Sequence, residues 1–182
     1  MPDRPGVVPN THSIETMSFN FTIVSLTAAL LCLFLASPVQ AQNPHGQIFD
    51  AWRVQCNSPT GAPAVCQMFQ NIVVKDSGEP VLRFFVGYQG EGETPIGVLV
   101  VPLGVHLPSG ITLKIDDGQA YELTIEVCLP NGCRARFGFD RNFLDLFKQG
   151  SNGTVSFVGG NRQPFNVPIS LIGFTAALKA IR

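Results

Sequence analysis

Four cysteines carry most of the chemistry this sequence could offer. Cys128 and Cys133 flank a Pro130-Asn131-Gly132 turn in EVCLPNGCRARFGFD, and Cys56 and Cys66 stand closer to the N-terminal end. Such pairs can bind zinc, run thiol-disulfide exchange or staple a fold. Zinc asks for four ligands at regular spacing. Here the second pair has nine residues between its members, and His45 and His106 keep no ligand spacing to each other. Redox pairs usually sit two residues apart at a helix start, where the dipole lowers a thiol pKa. These sit around a turn between strands. Structural disulfides are therefore expected, with Cys56, Cys66, Cys128 and Cys133 as their members.

Other chemistry-bearing residues are sparse. His106 is a lone imidazole near Ser109 in GVHLPSG, and the GxSxG elbow of a serine hydrolase is absent. Glu91 and Glu93 in QGEGETP lack the acidic spacing of a calcium loop. Arg134, Arg136 and Arg141 form a small basic cluster beside acidic neighbours, too weak for a nucleic-acid stripe. No catalytic residue, metal ligand or cofactor is expected, and no nucleic-acid partner.

The compartment decides how the cysteines are read. Residues 19 to 41, FNFTIVSLTAALLCLFLASPVQA, form an apolar run ending in Val39 and Ala41 at the positions a signal peptidase reads. Cleavage after Ala41 is expected, so residues 1–41 form a signal peptide and residues 42–182 a single domain. The core of that run, Leu26 to Ala36, is short of the roughly 20 residues a membrane helix needs. Only Arg4 supplies upstream positive charge, and Met17 offers an alternative start. Cys32 follows Leu31, where acylation needs a small residue, and leaves with the leader. Losing Arg4, Asp3 and Glu15 from 12 basic and 13 acidic residues leaves 11 of each. A neutral domain offers no electrostatic footprint for nucleic acid or an anionic membrane.

Turn signals recur about every ten residues, among them NSPTG, DSGEP, QGEGETP, PSG, DDG, PNG and SNG. Short alternating strands between them predict an all-β antiparallel sandwich with one or two short helices packed on it. Trp52, Val54 and Cys56 should share one face, as should Leu82, Phe84 and Val86, and Leu123, Ile125 and Val127. Trp52 is expected to be a core anchor. The segment IGVLVVPLGVHL, residues 96 to 107, reads as a strand buried on both faces, with Pro102 at a bend or edge. Two segments carry helical periodicity. DRNFLDLFKQG has Asp140 as cap, Phe143, Leu144 and Phe147 on one face and Gly150 at its end; SLIGFTAALKAIR has Ser170 as cap with Leu171, Phe174, Leu178 and Ile181 inward.

A three-residue bulged turn at Pro130, Asn131 and Gly132 would set Leu129 against Cys133, Val127 against Ala135, Ile125 against Phe137 and Leu123 against Phe139. Glu126 would pair with Arg136 outside. That register points Cys128 and Cys133 to opposite faces, so their disulfide would need an irregular turn. Three connectivities stay open. Proximity in the chain favours Cys56 with Cys66 and Cys128 with Cys133.

Trp52-Arg53-Val54-Gln55-Cys56, a second cysteine soon after, VPLGVHLPSGITLKID at 101 to 116, CLPNGC at 128 to 133 and SLIGFTAAL at 170 to 178 occur in an order that resembles the invasion-associated locus B family of exported bacterial proteins. The resemblance spans residues 49 to 181. It implies a non-enzymatic protein, periplasmic, outer-membrane-associated or secreted, that assists adhesion or host-cell invasion by binding an envelope or host-surface partner. It carries no catalytic motif, so the cysteines transfer as structural positions only. An envelope-maintenance factor is the alternative, and a thiol-disulfide redox protein a third. The loop 87 to 97, with Tyr88, Glu91 and Glu93, is the expected contact region.

Overall fold

Alternation of apolar and polar residues, broken by glycine and proline, sets out eleven strands in the computed structural model, which describes residues 43–58, 60, 64–90 and 92–182. The expected signal peptide, residues 1–41, lies outside the described residues. In chain order the strands are β1 (Ile48–Phe49), β2 (Trp52–Asn57), β3 (Val65–Val73), β4 (Pro80–Tyr88), β5 (Pro95–Val101), β6 (Ile111–Ile115), β7 (Ala120–Leu123), β8 (Val127–Leu129), β9 (Gly132–Gly138), β10 (Asn152–Val158) and β11 (Pro164–Ser170). Helix α1 (Arg141–Gln149) precedes β10, and α2 (Phe174–Ala180) follows β11.

Every strand pairing among the described residues is antiparallel, in a seven-stranded sheet of order β1-β2-β3-β4-β5-β9-β8 and a four-stranded sheet of order β11-β10-β6-β7. The all-β sandwich with two short helices is thus the observed architecture. Its core is aromatic. Trp52 is fully buried and meets Phe84 and Phe174 edge-on, each at 5.3 Å. Phe139 meets Phe147 at 4.9 Å, and Phe143 lies 4.4 Å from Tyr121. Tilted and edge-on rings at these distances add to the burial energy of the same surface.

The helices cover the core with the expected stripes. In α1 the Asp140 carboxylate accepts from the Phe143 amide at 2.8 Å, while Phe143 and Phe147 are buried. Gly150 ends α1, yet its φ of −70° is not left-handed. Glycine is required there by space: a Cβ would meet Ile115 and the Leu146 carbonyl at 2.8 Å and Leu171 at 2.9 Å. Ser170, expected to cap the second helix, is instead the last residue of β11. Gly173, at φ 86°, precedes α2, because a Cβ there would lie 2.1 Å from the Phe49 carbonyl oxygen. Leu171, Phe174, Leu178 and Ile181 are nevertheless all buried.

The expected hairpin register is corrected. Leu129 faces Gly132, Cys128 faces Cys133 and Val127 faces Arg134, around a two-residue Pro130-Asn131 turn. A two-residue loop shifts the pairing by one, which reverses the face of every residue on β8. Leu129 and Val127 are therefore exposed rather than buried. Leu123 and Ile125 do not face Phe139 and Phe137: β7 pairs with β6 in the smaller sheet, and residues 124 to 126 carry the chain across to the larger one. Glu126 still reaches Arg136 at 3.9 Å.

Candidate functional site

With the cysteines directly opposed on paired strands, the structure joins Cys56 to Cys66 and Cys128 to Cys133. Cys133 is buried and Cys128 lies on the edge strand β8. His45 closes the other edge, its Nδ1 accepting from the Cys56 amide at 3.0 Å. Neither pair is at a helix start.

The remaining candidates are dispersed. Tyr88 is the last residue of β4, half-buried and opposite Pro95, which shortens the expected loop to residues 89 to 94. Glu93 is exposed on it, and Glu91 lies outside the described residues. His106 Nδ1 and Ser109 Oγ stand 2.8 Å apart across the 3-10 turn Leu107–Ser109, a local contact on the surface. Arg134 and Arg136 point away from the core on β9, and Arg141 opens α1 on an exposed position. Among the described residues no group of three or more His, Cys, Asp or Glu side chains gathers, and no helix is long and apolar enough to cross a membrane.

What the structure does bring together is apolar. β3 and β4 are joined at residues 74 to 79, where the Val74 amide donates to the Glu79 carbonyl at 2.8 Å and Gly78 takes φ 71°. A register shift between Ile72 and Val73 opens that end of the pair. β5 stops at Val101 because Pro102 has no amide to continue the ladder. Gly104, at φ 82°, turns the chain so that Val105 bridges Gly159, next to the β10–β11 hairpin. On that hairpin Phe157 and Phe165 stack at 5.4 Å and 15°.

The three turns enclose an open cavity of about 640 Å³. Val74, Val81, Leu103, Val105, Phe157 and Phe165 wall it, and Glu79 and Asn161 are among its polar lining residues. Leu103 is 56% exposed, Phe165 44% and Val74 41%. A cavity this size falls in the range of small-molecule and side-chain sites, which are mostly carbon with few polar groups. Leu103 and Leu107 belong to the segment read as one buried strand. The strand occupies only its first half, and the rest is exposed loop and turn. Two signals in the sequence could have marked the cavity: Leu103 between Pro102 and Gly104, and the Val73-Val74 run continuing past a strand end.

Comparison with known proteins places these features in context. The family model described as Invasion associated locus B (IalB) protein matches residues 52–182. A Brucella abortus protein described as an invasion protein B homolog is 34% identical over 167 residues, covering 91% of this chain and 93% of that protein. Invasion protein B of Bartonella bacilliformis is 29% identical over 153 residues, covering 79% and 81%. The crystal structure of invasion-associated protein B from Bartonella henselae superposes with a TM-score of 0.65 at 25% identity, covering 74% of this chain and 94% of that one.

Proposed function

Because the chain belongs to the invasion-associated locus B family, we propose that it is a non-enzymatic exported envelope protein that assists adhesion or host-cell entry by binding. The observation that carries a binding role is the open apolar cavity between the 74 to 79, 102 to 105 and 159 to 163 turns. A domain with so aromatic a core has no folding need to leave Leu103, Phe165 and Val74 in water, and clustered exposed carbon of this kind marks contact sites. The loop 89 to 94, with Glu91 and Glu93 beside Tyr88, is proposed as a second, separate contact at the far end of β4 and β5. Two cross-strand disulfides suit an oxidising compartment and support export.

Deletion of the gene in the source bacterium tests the reading. Reduced adhesion or entry with unchanged detergent resistance supports it. Detergent sensitivity with normal adhesion and entry favours a structural role in envelope maintenance instead.

A further inference from the structure

The apolar cavity does not end at Leu103. A second depression of about 260 Å³ shares Pro80, Pro102 and Leu103 with it. A third, of about 280 Å³, shares Arg83, Val100 and Asn131 with the second. Together they run from the end of the sandwich, where Phe157 and Phe165 of the smaller sheet meet Val81 and Leu103, round onto the outer face of β4, β5 and β9, from carbon at one end to two arginines at the other.

The cationic end is fixed by strand register. Arg83 faces Val100, and Val100 faces Arg134, so two guanidinium groups flank one apolar side chain on the outer face. Val100 is only 6% exposed there, as expected when arginine stems lie over it. Arg83 Nη2 donates to the Asn131 carbonyl at 2.6 Å, and Arg134 Nη2 to Asn131 Oδ1 at 3.3 Å. Asn131 holds both arginines at the rim, yet it is neutral. The ion pairs among the described residues are Lys114 with Asp117, Arg136 with Glu126 and Lys148 with Asp145, so neither Arg83 nor Arg134 has a carboxylate partner there. Arg134 Nε is buried without a hydrogen-bond acceptor. Phe85 and Val98 complete the wall around them. Glu79 is the one acidic residue among those lining the groove, and it belongs to the opposite, apolar end.

We propose that this groove binds an anionic amphiphile: one aliphatic chain carrying a phosphate or carboxylate head. The charges set its direction. The head lies between Arg83 and Arg134, where a planar guanidinium meets two oxygens at once. The chain runs past Leu103 toward Phe165, and Glu79 disfavours the reverse orientation. Val81 and Arg83 are two residues apart on β4, about 7 Å, so a single molecule spans both environments. The proposal rests on the binding reading above and names its ligand class.

Titration calorimetry of the purified protein with monomeric dodecyl phosphate, dodecyl maltoside and inorganic phosphate tests it. Dodecyl phosphate is expected to bind at least about tenfold more tightly than either of the others. The double variant Arg83→Gln, Arg134→Gln should lose that advantage and keep the dodecyl maltoside affinity; Leu103→Ser should weaken both detergents. Arg83→Lys, which keeps the charge and removes the fork, serves if the double variant melts early. Equal affinity for the two detergents, or phosphate binding as tightly as dodecyl phosphate, overturns the ligand class. So does binding only to anionic phosphatidylglycerol vesicles with none to the monomer. These outcomes leave the binding role itself to the deletion strain, which reports on it independently.

Discussion

Gln70 is the single buried polar side chain among the described residues, and it ties the two sheets together. Its Nε2 donates to the Ser170 carbonyl at 2.6 Å while its Oε1 accepts from the Ser170 amide at 3.2 Å, so one side chain does the work of a strand pairing. Gln70→Leu leaves both backbone groups unpaired in the interior and should cost about 2 to 3 kcal/mol in urea denaturation. Gly97 marks a different constraint. It faces the core on β5, and a Cβ there would stand 2.3 Å from the Phe137 ring. Gly97→Ala should therefore destabilise by about 1 to 3 kcal/mol through overpacking, read by the same denaturation. Neither role was legible in the sequence, where Gln70 looks like one more polar strand residue and Gly97 like a weak point in an apolar run. Gln70 depends on the strand end that meets it from the other sheet, and Gly97 on the ring that the neighbouring strand β9 sets beside it.

At the scale of elements, alternation placed Trp52, Val54, Leu82, Phe84 and Val86 on the core side, and helical spacing placed Phe143, Phe147, Phe174 and Leu178 there too. Those patterns are local, so they survive without knowledge of the partner. The β8–β9 hairpin departs from the expected register because a two-residue and a three-residue turn are both compatible with Pro-Asn-Gly. The choice rests on β5, which passes so close that a Cβ on Gly132 would meet the Val101 carbonyl at 2.6 Å. The same shift brings Cys128 opposite Cys133. With both disulfides closing short loops, replacing either pair by serine should cost about 2 to 3 kcal/mol, with the ten-residue loop of Cys56 and Cys66 at the upper end. The candidate groove was invisible for a further reason. Its walls come from three turns far apart in the chain, and its arginines meet only through the β4-β5-β9 register.

For the whole molecule, the proposed export rests on the two disulfides and on membership of the invasion-associated locus B family, both of which suit a domain that works outside the cytoplasm. Protease accessibility in the source bacterium tests it most directly, comparing intact cells, cells with a permeabilised outer membrane and lysed cells. The domain should be digested on intact cells or once the outer membrane is opened, while a cytoplasmic marker stays protected. Digestion on intact cells would favour direct contact with a host, and digestion after permeabilisation an indirect role from the periplasm. Protection of the domain until the inner membrane itself is broken would contradict the account.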